Sequence, residues 1–477
     1  MAKTTKFQGS QFNVDALVTL AGALRNQPCT CDISKPPTAG SMNWAVIVAF
    51  DDGVEWIFRS PHSGMRAFFD EKTACKLLSS EVATLEYIRS HTTVPVPEVF
   101  ASSASCENDI GVPYIVMSKA AGHSLAEYDW RWQAHQPPQS SLIRPLRPLS
   151  QTDMEKIMSQ LGAMTLQLWQ LRLNKVGSLF QDGNDGFVVG ECLSPSLMWQ
   201  QRDSLEGIDR GPFSDERAYF NALLSAYISH AEELPFAVNR WNDFVTIGQK
   251  IDHSNNRLAY CIAGQLMREM SLHLCSGTAD GGFPLGHPDL NTGNIFVDQD
   301  LNITCIIDWT SASSGSVSPP DSSLIAAFRA GFERASGGAQ LGPNTWEQAD
   351  MMCFFQRLVG MRGIRDYHHF EAFYALIHAS KWGKDDDDDE SVNIPGLFEA
   401  YAQRAENRLL LDELREGDWS ADYIREQEQA SFGSAGAAND GRVAVARKLT
   451  LMLEMNKRFV ADRRLWQWIE EALKYSN

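Results

Sequence analysis

The sequence predicts an α+β protein with a β-rich N-terminal part and a longer, mainly helical part. Three observations predict this class. Residues 42–59 form two β-rich runs around Asp51-Asp52-Gly53, a turn signal typical of a hairpin. An apolar pattern with helical spacing follows over residues 71–91, and a buried strand over residues 112–118. Beyond residue 150 the pattern is mostly helical.

The apolar residues of the predicted helix 71–91 recur every three or four positions and therefore share one face: Leu77, Leu78, Val82, Leu85 and Ile88. Pro95 and Pro97 end this helix because proline favours an extended conformation in the residue before it. Ser150 and Asp153 have the spacing of a capping box, which predicts a helix from there to about Leu173.

One small β-region interrupts the helical part, with strands at 295–297 and 303–307 joined by a polar turn. Residues 128–149, rich in glutamine and proline, are predicted to be an exposed insertion. Asp385 to Glu390 are predicted to be a solvated acidic loop because adjacent like charges repel. Residues 441–474 are predicted to form closing helices.

Composition restricts the class of partner. The chain has 477 residues, 44% of them hydrophobic, which is enough to bury a core. Its net charge is −18, and such an excess of carboxylates argues against binding to nucleic acid or to anionic membranes. The sequence leaves the oligomeric state open.

The cellular address is inferred from the N-terminus, the apolar runs and the cysteines. The first 14 residues carry no apolar stretch, and the longest apolar run, residues 44–50, is too short to span a membrane. The nine cysteines are an odd number, and Cys29 and Cys31 form a C-x-C pair that we interpret as reduced thiols. We therefore expect a cytoplasmic protein without a membrane partner.

The stretch 283–308, FPLGHPDLNTGNIFVDQDLNITCIID, contains a pattern typical of phosphoryl transfer: His287-x-Asp289-x-x-x-x-Asn294, then Asp308 after a hairpin. This chemistry requires one carboxylate beside the acceptor hydroxyl. It also requires an amide oxygen and a second carboxylate to hold Mg²⁺ against the phosphates.

This stretch resembles the catalytic and metal-binding segments of the aminoglycoside phosphotransferase and choline kinase group, most closely its large fungal branch. Further similarity covers Gly40–Asn43, Trp56–Arg59 and Pro95–Pro97, within a region from about residue 40 to 330. The resemblance implies a bilobal protein kinase-like fold. It implies a small nucleotide-binding N-lobe over residues 1–119 and a large, mainly helical C-lobe over residues 120–477.

The resemblance also implies an ATP- and Mg²⁺-dependent kinase. Asp289 matches the catalytic base, and Asn294 and Asp308 match the metal ligands, whereas His287 is expected to brace the loop. The implied nucleotide-binding residues are Gly40, Ser41, Arg59, Glu81, Met117, Ser118, Lys119 and Ala120.

Among these nucleotide-binding residues, Arg59 matches the phosphate-contacting cation and Glu81 its partner on the helix. Met117 matches a residue lining the adenine pocket, and residues 118–120 match the hinge that presents backbone groups to adenine. Two alternatives remain open from the sequence. Arg59 is also readable as a solvent-facing strand residue, and Glu81 as an ordinary charge on a helix.

The substrate is expected to be a hydroxyl-bearing small molecule. No A-P-E-like segment follows Asp308, and D-W-T replaces D-F-G, which disfavours a peptide substrate. Family members hold cationic substrates with acidic residues, and Asp321, Glu333 and residues 385–390 are the candidates here.

The sequence departs from the family at three positions: Arg59 replaces a lysine, Gly40 is the only glycine of the phosphate loop, and Thr310 stands where relatives often carry an acid. These departures leave alternatives to a small-molecule kinase: an inactive pseudokinase or nucleotide-binding scaffold, a protein kinase, and a kinase-like pocket redirected to other chemistry.

Overall fold

The computed structural model describes residues 12–409 and 412, apart from residues 35, 41, 64–68, 131–146, 184–185, 234–252, 276–280, 311–321, 338–344, 362–365 and 383–392. The described helices are α1 (Val14–Arg25), α2 (Glu71–His91), α3 (Gln151–Gln170), α4 (Pro195–Met198), α5 (Glu216–Glu233), α6 (His253–Met270), α7 (Ser322–Ala335), α8 (Thr345–Val359), α9 (Asp366–Trp382) and α10 (Ile394–Ala402).

The described strands are β1 (Cys29–Cys31), β2 (Thr38–Ala39), β3 (Asn43–Phe50), β4 (Glu55–Pro61), β5 (Val99–Ser103), β6 (Tyr114–Ser118), β7 (His123–Ser124), β8 (Arg172–Leu173), β9 (Ser178–Asp182), β10 (Gly186–Gly190), β11 (Phe283–Pro284), β12 (Ile295–Val297) and β13 (Ile303–Ile306). This mixture confirms the predicted α+β class: one six-stranded sheet lies within residues 29–118, and eight of the ten described helices follow it.

The N-terminal strands form one antiparallel sheet in the order β1-β3-β4-β6-β5, with β2 added beside β3. The predicted hairpin is confirmed as β3 and β4, and Gly53 in its turn has φ +85°. Because side chains alternate along a strand, Phe58 enters the core on one face and Arg59 points to the other. The sheet thereby directs Arg59 toward helix α2.

Helix α2 has the bounds predicted from its apolar spacing. Asp70 caps its N-terminus by accepting a hydrogen bond from the Thr73 backbone N–H. Leu78 and Val82 form a small apolar cluster with Ile115 and Met117 of β6, so this face of α2 lies on the sheet. Glu81 belongs to the same face and is 2% exposed.

The helical part departs from the sequence prediction in two places. The predicted capping box of Ser150 and Asp153 is present, but α3 ends at Gln170, and residues 172–173 form the short strand β8. The expectation of a single β-region after α3 is also wrong. Strands β9 and β10 pair antiparallel as a second hairpin, with Gly186 opposite Asp182, and β11 pairs with β8.

The predicted hairpin at 295–307 is confirmed as β12 and β13, and β7 adds a third strand to it. Beside it, α3 and α7 cross at two glycines. A Cβ added to Gly162 would lie 2.1 Å from the Phe328 carbonyl oxygen, and one added to Gly331 would lie 2.0 Å from that of Ser159. The absence of both side chains permits this close crossing.

Several predicted features lie outside the described residues: Ser41, Asp321, the core of the insertion at 128–149, the acidic run 385–390, and the segment 441–474. The ends of the insertion are described, and they meet where the Leu149 N–H donates to the Asp129 carbonyl oxygen over 3.0 Å. Within the described part of the chain, no helix is long and apolar enough to cross a membrane. All nine cysteines are among the described residues, and none of them, including Cys29 and Cys31, forms a disulfide.

Candidate active site

A short loop between β11 and β12 carries Asp289 and Asn294. The loop closes on itself because the Asn291 side chain accepts the Gly293 N–H over 2.7 Å, and residues Thr292–Asn294 form a 3₁₀ turn. Asn291 also donates from Nδ2 to Oδ2 of Asp289 over 3.2 Å. The Asn294 Nδ2 group donates to the Asp289 backbone oxygen over 2.9 Å. These contacts fix Asp289 and Asn294 relative to each other.

His287 connects this loop to the strand that leads to Asp308. Its Nε2–H donates to the Ile307 carbonyl oxygen over 2.9 Å, and its Nδ1 accepts the Asp289 N–H over 3.1 Å. This pattern requires a neutral imidazole with the proton on Nε2. Burial lowers the pKa of His287 below its ordinary 6.5, which agrees with the neutral form.

Asp308 sits in a sharp turn directly after β13. Its φ is +65°, a left-handed conformation that aspartate tolerates better than most residues do. The next residue, Trp309, is fully buried, donates its indole N–H to the Ile306 carbonyl oxygen over 2.9 Å, and meets the His287 ring edge-on. The Ile307 N–H donates to the Asn294 carbonyl oxygen over 2.9 Å. The two predicted metal ligands, Asn294 and Asp308, therefore lie on backbone segments that are hydrogen-bonded to each other.

Arg59 and Glu81 form a buried ion pair beside this turn, through Nη2 of Arg59 and Oε2 of Glu81. The Nη1 atom of Arg59 lies 3.7 Å from Oδ1 of Asp308. The side chains of Arg59 and Glu81 are 14% and 3% exposed, so the alternatives of a solvent-facing arginine and a surface carboxylate are wrong.

The pKa values of this pair reflect burial opposed by charge. Burial raises the pKa of Glu81, and the charge of Arg59 acts in the opposite direction. Burial also lowers the pKa of Arg59, but Glu81 and Asp308 outweigh it, and the net pKa is raised. The guanidinium therefore remains charged.

Thr310 is a member of this cluster that the sequence did not assign. It is buried, and its hydroxyl donates to Oε2 of Glu81 over 2.5 Å. The sequence marked Thr310 as a departure from the family but gave it no role. Its partner is 229 positions away, and no local pattern connects two such residues.

The predicted phosphate-loop position Gly40 lies at the turn between β2 and β3. Its N–H donates to the Asn43 carbonyl oxygen over 2.8 Å, and its own carbonyl accepts the His62 Nε2–H over 3.0 Å. Asn43, Arg59 and His62 line one small cavity of about 30 Å³, together with residues of α2. Gly40 is thus hydrogen-bonded to residues at the start of β3 and just after β4, and those residues line the same cavity as Arg59.

The predicted hinge runs from the end of β6 into the following segment. Met117 is buried, Ala120 is half-buried, and Lys119 is exposed and paired with Glu55. Ser118 is bound to the Glu98 backbone through two of its atoms. Its N–H donates to the Glu98 carbonyl oxygen over 2.8 Å, and its Oγ accepts the Glu98 N–H over 2.9 Å.

The donor set of Asn294 and Asp308 fits a hard divalent cation. The amide nitrogen of Asn294 is engaged by Asp289, which leaves its oxygen as the free acceptor side of the group. The Asp308 side chain is 40% exposed. One amide oxygen and one carboxylate suit Mg²⁺, which retains water and binds phosphate oxygens in its remaining positions.

Comparison with known proteins gives a partial match in sequence and low-scoring matches to solved structures. No family model matches the chain. A subtelomeric hrmA-associated cluster protein, found in two strains of Aspergillus fumigatus, is 31% identical over 144 residues, which are 28% of this chain and 25% of that protein. The match therefore spans a quarter of the length of these relatives.

Two of the solved structures are matched over most of their length, at low identity and low TM-score. A candidate fructosamine-3-kinase from Thermobifida fusca has a TM-score of 0.42 and 12% identity, covering 77% of this chain and 99% of that chain. A macrolide 2′-phosphotransferase from Brachybacterium faecium has a TM-score of 0.35 and 13% identity, covering 85% of this chain and 100% of that chain.

Proposed function

We propose that this chain is an ATP- and Mg²⁺-dependent phosphotransferase that phosphorylates a hydroxyl group of a small molecule, and that it belongs to the aminoglycoside phosphotransferase and choline kinase group. The observation that carries the proposal is the buried Arg59–Glu81 pair with Asp308 at 3.7 Å. Asp308 is joined in turn to the loop of Asp289 and Asn294 through His287 and Ile307. A purely structural ion pair needs no such loop beside it.

In the proposed reaction, Asp289 accepts the proton of the substrate hydroxyl. The substrate oxygen forms a bond to the γ-phosphorus while the bond from that phosphorus to the bridging oxygen breaks, and ADP leaves. Asn294 and Asp308 would hold Mg²⁺, which offsets the negative charge of the phosphate oxygens when it is bound. The hydrogen bonds around Asp289 hold its carboxylate in place before the substrate arrives.

Arginine suits the role of phosphate-binding cation at position 59. A guanidinium has five N–H donors in a planar fork, and Glu81 engages Nη2. Donors on the other nitrogens of the same group therefore remain for phosphate oxygens, whereas an ammonium presents its three donors from a single nitrogen atom. This geometry supports catalysis with arginine rather than a scaffold that has lost its lysine.

The proposed partners are a nucleotide and a small hydroxyl-bearing substrate. Of the candidate acidic residues for a cationic substrate, Glu333 is described. It is exposed on α7, and its Oε1 accepts the Trp346 indole N–H over 3.0 Å. The nine free thiols support a reducing, cytoplasmic setting.

The test is a screen of hydroxyl-bearing metabolites for consumption of Mg-ATP, with Asp289→Asn as the control. We expect turnover with at least one compound, and a loss of about 10²–10⁴-fold in the variant because the proton acceptor is removed. Binding of a fluorescent ATP analogue, mant-ATP, is measured for both proteins. Turnover by Asp289→Asn equal to that of the unmodified chain would refute the mechanism, and an absence of nucleotide binding would refute the proposed class.

A further inference from the structure

Thr310, two residues after Asp308, contacts the Arg59–Glu81 ion pair through its hydroxyl group. Oε2 of Glu81 receives two hydrogen bonds, one from Nη2 of Arg59 and one from the Thr310 hydroxyl. Both Glu81 and Thr310 are buried. A buried carboxylate needs such donors, because an unpaired charge in the interior is strongly unfavourable.

Thr310 is held in place independently of Glu81. The two residues before it are fixed by the left-handed turn at Asp308 and by buried Trp309, whose indole N–H donates to the Ile306 carbonyl oxygen. Its hydroxyl is therefore presented to Glu81 by a backbone that the Asp308 turn and the buried Trp309 hold in place. The consequence is that the orientation of the Glu81 carboxylate depends on the position of this segment.

Glu81 in turn sets the distance between Arg59 and Asp308. The gap of 3.7 Å between Nη1 and Oδ1 is longer than a hydrogen bond of 2.7–3.2 Å. The two groups already attract each other at this distance, and if the guanidinium moved closer it would hydrogen-bond to Asp308 and compete with a cation for that carboxylate. The Thr310 hydroxyl opposes this movement because it anchors the carboxylate that holds Arg59.

We infer that Thr310 is a positioning residue. By anchoring Glu81 it keeps Arg59 from hydrogen-bonding to Asp308, so that the Asp308 carboxylate stays available to bind Mg²⁺. This inference rests on the proposed function. It concerns the magnesium requirement of nucleotide binding, a quantity separate from the turnover that tests the proposal above.

The experiment is a titration of MgCl₂ against mant-ATP binding in full-length protein. Thr310→Val removes the hydroxyl and keeps the branched shape, and we expect the Mg²⁺ concentration at half-saturation to rise about tenfold. Thr310→Ser keeps a hydroxyl and should restore the unmodified value to within about twofold. If Thr310→Val does not fold, as judged by circular dichroism, Thr310→Ala is measured in its place.

Thr84→Val is the matched control. Thr84 is buried on α2 one turn beyond Glu81, and its hydroxyl donates to the Ser80 carbonyl oxygen over 2.8 Å, away from the ion pair. Its loss should leave the magnesium requirement unchanged. A double-mutant cycle with Glu81→Met adds a second readout. Once Glu81 is gone, removal of the Thr310 hydroxyl should have no further effect on the magnesium requirement.

The outcomes distinguish a failure of the role of Thr310 from a failure of the proposed function. If the unmodified chain binds mant-ATP with Mg²⁺ and Thr310→Val shows the same magnesium requirement, the role of Thr310 is refuted while the proposed function stands. Additive effects of Thr310→Val and Glu81→Met would also refute it, because they indicate packing alone. If the unmodified chain binds no nucleotide, the proposed function fails, and the role of Thr310 fails with it.

Discussion

The Nε2–H group of His287 donates a hydrogen bond of 2.9 Å to the carbonyl oxygen of Ile307. Ile307 immediately precedes Asp308, and the other ring nitrogen of His287 accepts the Asp289 N–H. One buried imidazole therefore joins the backbone of the proposed proton acceptor to the backbone of a proposed metal ligand. A neutral ring is the only form that makes both bonds, since the protonated form has no acceptor.

Replacement of His287 by leucine is expected to destabilise the protein and impair the site. The Asp289 N–H and the Ile307 carbonyl would lose their partners, and two unsatisfied half-buried groups should lower the free energy of unfolding by about 1–3 kcal/mol. Urea denaturation at pH 7.5 measures this loss. A variant as stable as the unmodified chain would show that the two bonds contribute nothing.

The stability of the unmodified chain should also contain a pH-dependent contribution from His287. Because burial lowers the pKa of His287 below 6.5, the imidazole takes up a proton at a higher pH in the unfolded chain than in the folded chain. The contribution is complete above pH 6.5 and is lost as the pH falls through the lowered value. The difference in unfolding free energy between the unmodified chain and His287→Leu should therefore shrink from pH 7.5 to pH 5. A constant difference would contradict this.

The crossing of α3 and α7 predicts a steric effect at Gly331. In Gly331→Ala the new methyl group would lie 2.0 Å from the Ser159 carbonyl oxygen, so the helices must separate. We expect a loss of about 1–3 kcal/mol in unfolding free energy from overpacking. Gly183→Ala is the control, because nothing lies within 4 Å of a Cβ there. Equal denaturation midpoints for the two variants would contradict the crossing.

Local features of this fold were predictable because local sequence determines them. Helix α2 has its predicted bounds, since its apolar residues recur at helical spacing and Pro95 and Pro97 follow. The loop around Asp289 and Asn294 was recognisable for a related reason. Its chemistry requires fixed spacings within about twenty residues, which a linear pattern can show.

Features that depend on distant parts of the chain were not predictable. The contact of Thr310 with Glu81 joins residues 229 positions apart, and neither residue carries a signal for the other. The hairpin of β9 and β10 was missed because five-residue strands give a weak period-two pattern. The end of α3 was placed three residues too late, since no proline or glycine follows Gln170 to mark it.

The Arg59–Glu81 pair predicts an asymmetry between single and double substitutions. Arg59→Met leaves the buried Glu81 carboxylate without its cation, which should lower the unfolding free energy by about 3–5 kcal/mol. Adding Glu81→Leu removes the uncompensated charge and should restore much of that stability. Neither variant should bind mant-ATP as the unmodified chain does. Thermal and urea denaturation of Arg59→Met, Glu81→Leu and the double variant completes the cycle, and purely additive losses would contradict a coupled pair.

Gly122 connects the hinge to the β-region of the site, and replacing it by alanine should lower the free energy of unfolding for a conformational and a steric reason. Its φ is +85°, and an added Cβ would lie 2.1 Å from the carbonyl oxygen of Val297 in β12. Gly111 has a similar φ of +83° but open space around it, so Gly111→Ala isolates the conformational part, roughly 1–2 kcal/mol. We expect Gly122→Ala to lose a further 1–3 kcal/mol, roughly, through the contact with β12. It should also weaken Mg²⁺-dependent mant-ATP binding, because β12 directly follows Asn294. Thermal denaturation and nucleotide titration of both variants test this, and equal behaviour would show that β12 yields to the methyl group without disturbing the site.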